Sequence, residues 1–191
     1  NADARRKFEQ LFQAFKSLLD SNPEREEVLQ QFLKENPSLL CPSYIKLFPK
    51  LALGNHITDF VFREATGDYL LVELERSTLR LFKNNGDLSA DLNHALGQIT
   101  DWKRYIEDNL PSIQRELGLT EISSNPKSLV VIGRSQTLSS DNKRKLATIE
   151  NERPKTKILT YDDVLQNAKV VVENLLGPIS AASGQSRVFY K

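Results

Sequence analysis

Ile57-Thr58-Asp59-Phe60-Val61-Phe62, a short link, and Tyr69-Leu70-Leu71-Val72-Glu73-Leu74-Glu75 set the architecture of this chain. Both runs are rich in β-branched and aromatic residues and read as buried strands. The link Ala65-Thr66-Gly67-Asp68 has the composition of a hairpin turn. Pairing about Thr66-Gly67 sets Asp59 opposite Glu73, within a slip of two residues. Directly opposed side chains lie about 5 Å apart at Cβ. Glu73 and Glu75 are two apart on one strand and share a face. Acids seldom occupy such surroundings alone, because an unpaired buried charge is costly and like charges raise one another's pKa. A divalent cation would relieve the repulsion, polarise a phosphoryl oxygen and acidify a bound water. From spacing alone, acids at a solvent-exposed strand end that bind nothing are an equal alternative.

Working outward, the flanks read as alternating elements. Ala4 to Asp20 predicts an amphipathic helix striped by Phe8, Leu11, Phe12, Phe15, Leu18 and Leu19. Asn22 is expected to cap a second helix, with Pro23 in its first turn, running to Glu35 and stopping at Asn36-Pro37. Tyr44 to Leu53 reads as a first strand bent at Pro49. A long helix is expected from Ser89 to Glu107, ended by Asn109-Leu110-Pro111. Strands at Ser128–Gly133 and Lys157–Thr160 alternate with helices at 140–151 and 162–176, which implies parallel pairing at that edge. The expected fold class is α/β: a restriction-endonuclease-like mixed β-sheet flanked by helices. The expected division is an N-terminal helical extension over 1–22, the core domain over 23–180 and a flexible tail over 181–191.

Composition narrows the chemistry. The 27% charged and 39% apolar content is that of an ordinary water-soluble protein. No apolar run approaches the length needed to span a bilayer, and the N-terminal stretch lacks the apolar core of a signal peptide, so a cytoplasmic location and no membrane partner are expected. One cysteine, Cys41, excludes an internal disulfide and multi-cysteine zinc sites. Two histidines, His56 and His94, leave oxygen donors and a hard ion, Mg²⁺ or Mn²⁺. The net charge of +1 names no partner. The chain starts at Asn1 and has no methionine, so a trimmed protein or the terminal domain of a longer one is expected.

Thr58-Asp59-Phe60 followed by Val72-Glu73-Leu74-Glu75 resembles the core of the PD-(D/E)XK nuclease superfamily and, within it, the Shedu anti-phage defence family. The likeness runs from about Glu26 to Leu176. It includes Leu29 to Pro37, Leu81 to Leu88, Leu92 to Trp102, Val131-Ile132-Gly133-Arg134-Ser135 and Leu159-Thr160-Tyr161-Asp162-Asp163. The resemblance implies a Mg²⁺-dependent deoxyribonuclease acting on phage or other double-stranded DNA, with a homo-oligomer expected by analogy. It makes Asp59 and Glu73 metal ligands. Glu75 falls where many members carry lysine; a glutamate binds metal but supplies no positive charge, which Arg76, Arg80, Lys83 or a second Mg²⁺ would provide. Gln98 matches a glutamine on the helix after the motif strand, and Glu26 a first-helix acid that completes the metal site. Arg76, Arg80 and Lys83 are the expected phosphate contacts; Lys143-Arg144-Lys145 and Arg153/Lys155/Lys157 are more distant basic clusters. Trp102 and His94 read first as structural residues. The alternative function is a catalytically decayed nuclease-fold module that binds nucleic acid or partner proteins. DNA and RNA are not distinguished by these residues.

Overall fold

The computed structural model describes residues 2–179. Five strands form a mixed sheet in the order β1 (Tyr44–Pro49), β4 (Phe60–Glu64), β5 (Tyr69–Leu74), β6 (Lys127–Val131) and β7 (Thr156–Leu159). The first three pair antiparallel and the last two join parallel, so β5 is the strand at which direction changes. A small ribbon, β2 (Ala52–Leu53) with β3 (His56–Ile57), takes up the end of the expected first strand. The β4–β5 register pairs Phe60 with Val72 and Val61 with Leu71; continued by one step, it sets Asp59 opposite Glu73.

Helices cover both faces. α3 (Ala90–Asp108), α4 (Leu110–Glu116) and α5 (Ser140–Glu152) lie over the face that carries Val61, Tyr69 and Leu71. α1 (Ala2–Asp20), α2 (Glu26–Glu35) and α6 (Tyr161–Leu176) lie over the face that carries Phe60, Phe62, Val72 and Leu74. Strand alternation therefore turns Glu73 toward the α3 side. The stripe Leu92, Ala95, Leu96, Ile99, Trp102 and Ile106 of α3 is buried as its spacing predicts. In α1, Phe12 and Phe15 are buried against Leu29 and Leu33 of α2. Residues 181–191, expected as a tail, fall outside the described part. Among the described residues no helix is long and apolar enough to cross a membrane.

Two expectations are corrected. Asn22 does not cap α2: it sits at φ 49°, just after α1, and donates its backbone N–H to Leu19. Asparagine tolerates this left-handed conformation and is spent on ending α1. α2 starts at Glu26 after Arg25, which makes no side-chain cap. Asn109-Leu110-Pro111 ends α3 but also begins α4, with Pro111 in the first turn, where its missing N–H costs nothing.

Candidate metal and nuclease centre

The acids meet at the C-terminal end of β5. Asp59 precedes β4 and is buried; its Oδ2 accepts from the backbone N–H of Leu74 at 2.8 Å. Glu73 is buried at the end of β5, and Glu75 follows the strand, half-buried. The backbone of Glu75 is fixed on both sides: its N–H donates to Val131, and its carbonyl accepts from the Tyr161 hydroxyl at 2.6 Å. Glu26 opens α2 and Gln30 lies one turn later on the same face, where its amide donates to Asp59. Gly133, at φ 65°, brings the chain after β6 against the carbonyl of Leu79 where a Cβ would collide, and its N–H donates to Arg76.

The electrostatics bind these residues into one group. Burial, then the charges of Asp59, Glu75 and Glu26, push Glu73 up to about 9; Lys50 opposes them. Glu26 is pushed up to about 7 by burial, then by Asp59 and Glu75. Glu75 is pushed up to about 7 by burial, then by Asp91 and Asp59, with Arg76 opposing. Burial and the neighbouring charges thus favour the neutral forms of Glu73, Glu26 and Glu75 more than water would. Buried Tyr161 is raised well above its usual range by burial and then by the same four acids.

Lys50 is the cation nearest the group. It donates to Asp59 Oδ1 at 2.7 Å, and its backbone N–H donates to the Asp59 carbonyl. It also sits at φ 51°, a strained conformation for a residue with a Cβ. Sequence reasoning missed Lys50, Gln30 and Tyr161. Gln30 was signalled by its four-residue spacing from Glu26. Lys50 follows Pro49 at the end of β1, and its own left-handed backbone turns the chain there.

The remaining expected residues divide. Gln98 lies on α3, seven residues after Asp91 and so on the same helix face, two turns along. Its side-chain carbonyl is buried without a hydrogen-bond partner. Arg76, Arg80 and Lys83 are exposed, and none of them forms an ion pair among the described residues. Arg80 and Lys83 line a cleft of about 370 Å³ with Lys145. Of the distant clusters, Arg144 and Lys145 pair with Asp141, and Lys157 with Glu150. Trp102 is fully buried, as a core residue; His94 is exposed.

The group suits a hard cation in the kind of its donors, all carboxylate oxygens, and in a mutual repulsion that Lys50 and Arg76 only partly offset. In arrangement it differs from the expectation. Among the described residues no three Asp, Glu, His or Cys side chains come together closely enough to hold one ion. Asp59 faces Lys50 instead, so cation binding requires Asp59 to exchange that partner.

The family model "Shedu protein SduA, C-terminal" matches residues 23–165. No curated protein matches the chain. A solved EndoMS–dsDNA complex is 21% identical with a TM-score of 0.39, over 69% of this chain and 43% of that one. A repair endonuclease from Pyrococcus abyssi is 19% identical with a TM-score of 0.40, over 72% of this chain and 47% of that one. The chain spans less than half the length of either structure.

Proposed function

We propose, from the premise that this chain belongs to the family of the Shedu protein SduA C-terminal region, that it is a metal-dependent endonuclease hydrolysing DNA phosphodiester bonds in defence against phage. The observation that carries the reading is the set Glu26, Asp59, Glu73 and Glu75, drawn to one end of the sheet, where burial and the neighbouring acids raise the pKa of the three glutamates. Such a group is costly to maintain unless a cation is present for part of its working life. Asp59, Glu73 and Glu75 would hold Mg²⁺ or Mn²⁺, with Glu26 and Gln98 in support. The ion, when bound, would supply Lewis-acid polarisation of a phosphoryl oxygen and an acidified water.

This chain's own residues do the rest. Tyr161 and the Val131 carbonyl pin the Glu75 backbone, and the Leu74 N–H orients Asp59. Lys50 supplies the positive charge that Glu75 cannot, once Asp59 releases it. Arg76, Arg80 and Lys83, free of ion pairs among the described residues, meet backbone phosphates near the centre. A cytoplasmic location and a homo-oligomer belong to the same proposal.

The Lys50–Asp59 pair favours one second reading: a decayed site in which lysine permanently replaces the metal and the fold binds nucleic acid or a partner protein. Incubating the purified chain with duplex DNA and millimolar Mg²⁺ or Mn²⁺ separates the two. The nuclease reading expects fragments that EDTA suppresses and that Glu73→Ala does not produce. Intact DNA and intact RNA, together with a melting temperature indifferent to Mn²⁺, would leave the decayed module standing.

A further inference from the structure

A second cavity, of about 440 Å³, opens between the C-terminal half of α3 and the turn that feeds β7. Lys103, Arg104 and Arg153 line it, against one acid, Glu107. None of these three cations forms an ion pair among the described residues, and neither does Lys155 beside them. The volume is that of a small-ligand site, within the usual range of roughly 300–1,000 Å³.

The cavity is built from the sheet outward. Ser128 of β6 and Thr156 of β7 are buried polar residues on neighbouring strands, and their hydroxyls are 2.9 Å apart. Thr156 in turn accepts from the Lys103 ammonium at 3.3 Å, which aims that half-buried side chain inward. Arg153 reaches the Thr100 hydroxyl at 3.5 Å from the opposite wall. The turn between them is strained: Lys155 adopts φ 67°, and its side chain is tied to the Asn125 carbonyl at 2.9 Å. Burial, then the charge of Lys155, lowers the pKa of Lys103. Three cations line the cleft against the single carboxylate of Glu107, so an anion carrying more than one charge is the complementary guest.

We propose that this cleft is a phosphate-binding site, separate from the acidic centre, in which Lys103, Arg104 and Arg153 grip a phosphate ester. Arginine's planar fork suits two oxygens of a phosphate at once, and the lysine adds a point charge from the floor. The separation is set by the helix: Lys103 comes twelve residues after Asp91, the α3 acid that Glu75 senses, or about 18 Å along the axis at 1.5 Å per residue. The guest is either a free nucleotide or a backbone phosphate of a nucleic acid; the chemistry is common to both.

The test follows the melting of the purified chain, free of divalent metal, with millimolar pyrophosphate against sodium chloride and acetate at matched ionic strength. Pyrophosphate is expected to raise the midpoint by a few degrees beyond both controls. Lys103→Met and Arg153→Ala should each lose at least half of that rise, whereas Lys143→Ala on α5 keeps it. Arg153 is exposed, so its variant reads out binding even where a change at Lys103 disturbs folding. No rise beyond the chloride control, an equal rise with acetate, or a rise intact in both variants would overturn the site. Fluorescent ATP and a short DNA duplex then identify the source. Weakened duplex binding in both variants, with competition by pyrophosphate, assigns a backbone phosphate; weakened ATP binding with unchanged duplex binding assigns a nucleotide. Affinity for both probes unchanged in both variants would refute the proposal.

Discussion

Glu73 and Lys103 stand in opposite predicaments within one small domain. Glu73 lies among acids at the end of β5, and its carboxyl is pushed up to about 9. Lys103 lies among cations at the mouth of β7, and its ammonium is pushed down. Burial is the larger cause in both, and like charges add to it. The net charge of +1 hides this entirely, because 26 basic and 25 acidic residues nearly cancel while two clusters remain uncancelled. A protein that needed only stability would interleave the two signs. Keeping them apart leaves one end with an excess of acids over Lys50 and another with an excess of cations over Glu107.

The most severe way to break the comparison is to remove the acid. Glu73→Ala is expected to slow cleavage of duplex DNA in Mg²⁺ by about 10³-fold, the scale seen when a preorganised charge-stabilising group is deleted. Equal rates for variant and parent in a gel assay would detach activity from the acidic end. Lys103→Met should change the rate far less.

The pH dependence of melting is the next lever, and the two ends pull oppositely. Glu73 is raised in the folded state from an ordinary value of 4.5, so its neutral form is favoured there. Its contribution is fully present below about 4.5 and is lost as pH rises through about 9. Lys103 is lowered below 10.5, so its contribution is lost as pH falls through its folded value. Metal-free protein should therefore melt several degrees lower at pH 8.5 than at pH 6, and Glu73→Gln should flatten that slope. A slope unaltered by the substitution would show that Glu73 does not govern it.

Lys50 offers a finer test. Lys50→Met leaves Asp59 without its ion pair and should cost on the order of 1–2 kcal/mol in denaturant unfolding, discounted because the lysine is half exposed. Millimolar Mn²⁺ should restore that loss if the acids accept a metal in its place; no restoration would favour the decayed site. The smallest effect is expected at Gln98. Gln98→Leu removes a buried acceptor that has no partner, so metal-free stability should change by less than about 1 kcal/mol. The stabilisation gained from Mn²⁺ should shrink; a variant as responsive as the parent would place Gln98 outside the centre.

The hairpin was legible because two β-branched and aromatic runs flank a Gly-containing turn that sets register locally, and the register carried Asp59 to Glu73. The long helix was legible because Ser89 caps it and six apolar residues keep its period. The start of α2 was not, because Asn22 suits the end of one helix as well as the beginning of another, and only packing decides between them. α4 was hidden for a similar reason, since Pro111 marks a stop and a first turn alike. Within the candidate centre, Asp59, Glu73 and Glu75 were read from type and spacing, and Glu26 from the family resemblance. Lys50 was not, because its place beside Asp59 depends on a left-handed residue at the end of an edge strand, a tertiary outcome that no local pattern encodes.

β5 is hydrogen-bonded along both edges, antiparallel to β4 and parallel to β6. Its amides should be among the last in the molecule to exchange with deuterated solvent, opening only when the whole domain does. Two of the four acids ride on or directly after that strand. Whatever guest they receive meets a wall that does not yield, so any accommodation falls to Lys50 and the first turn of α2.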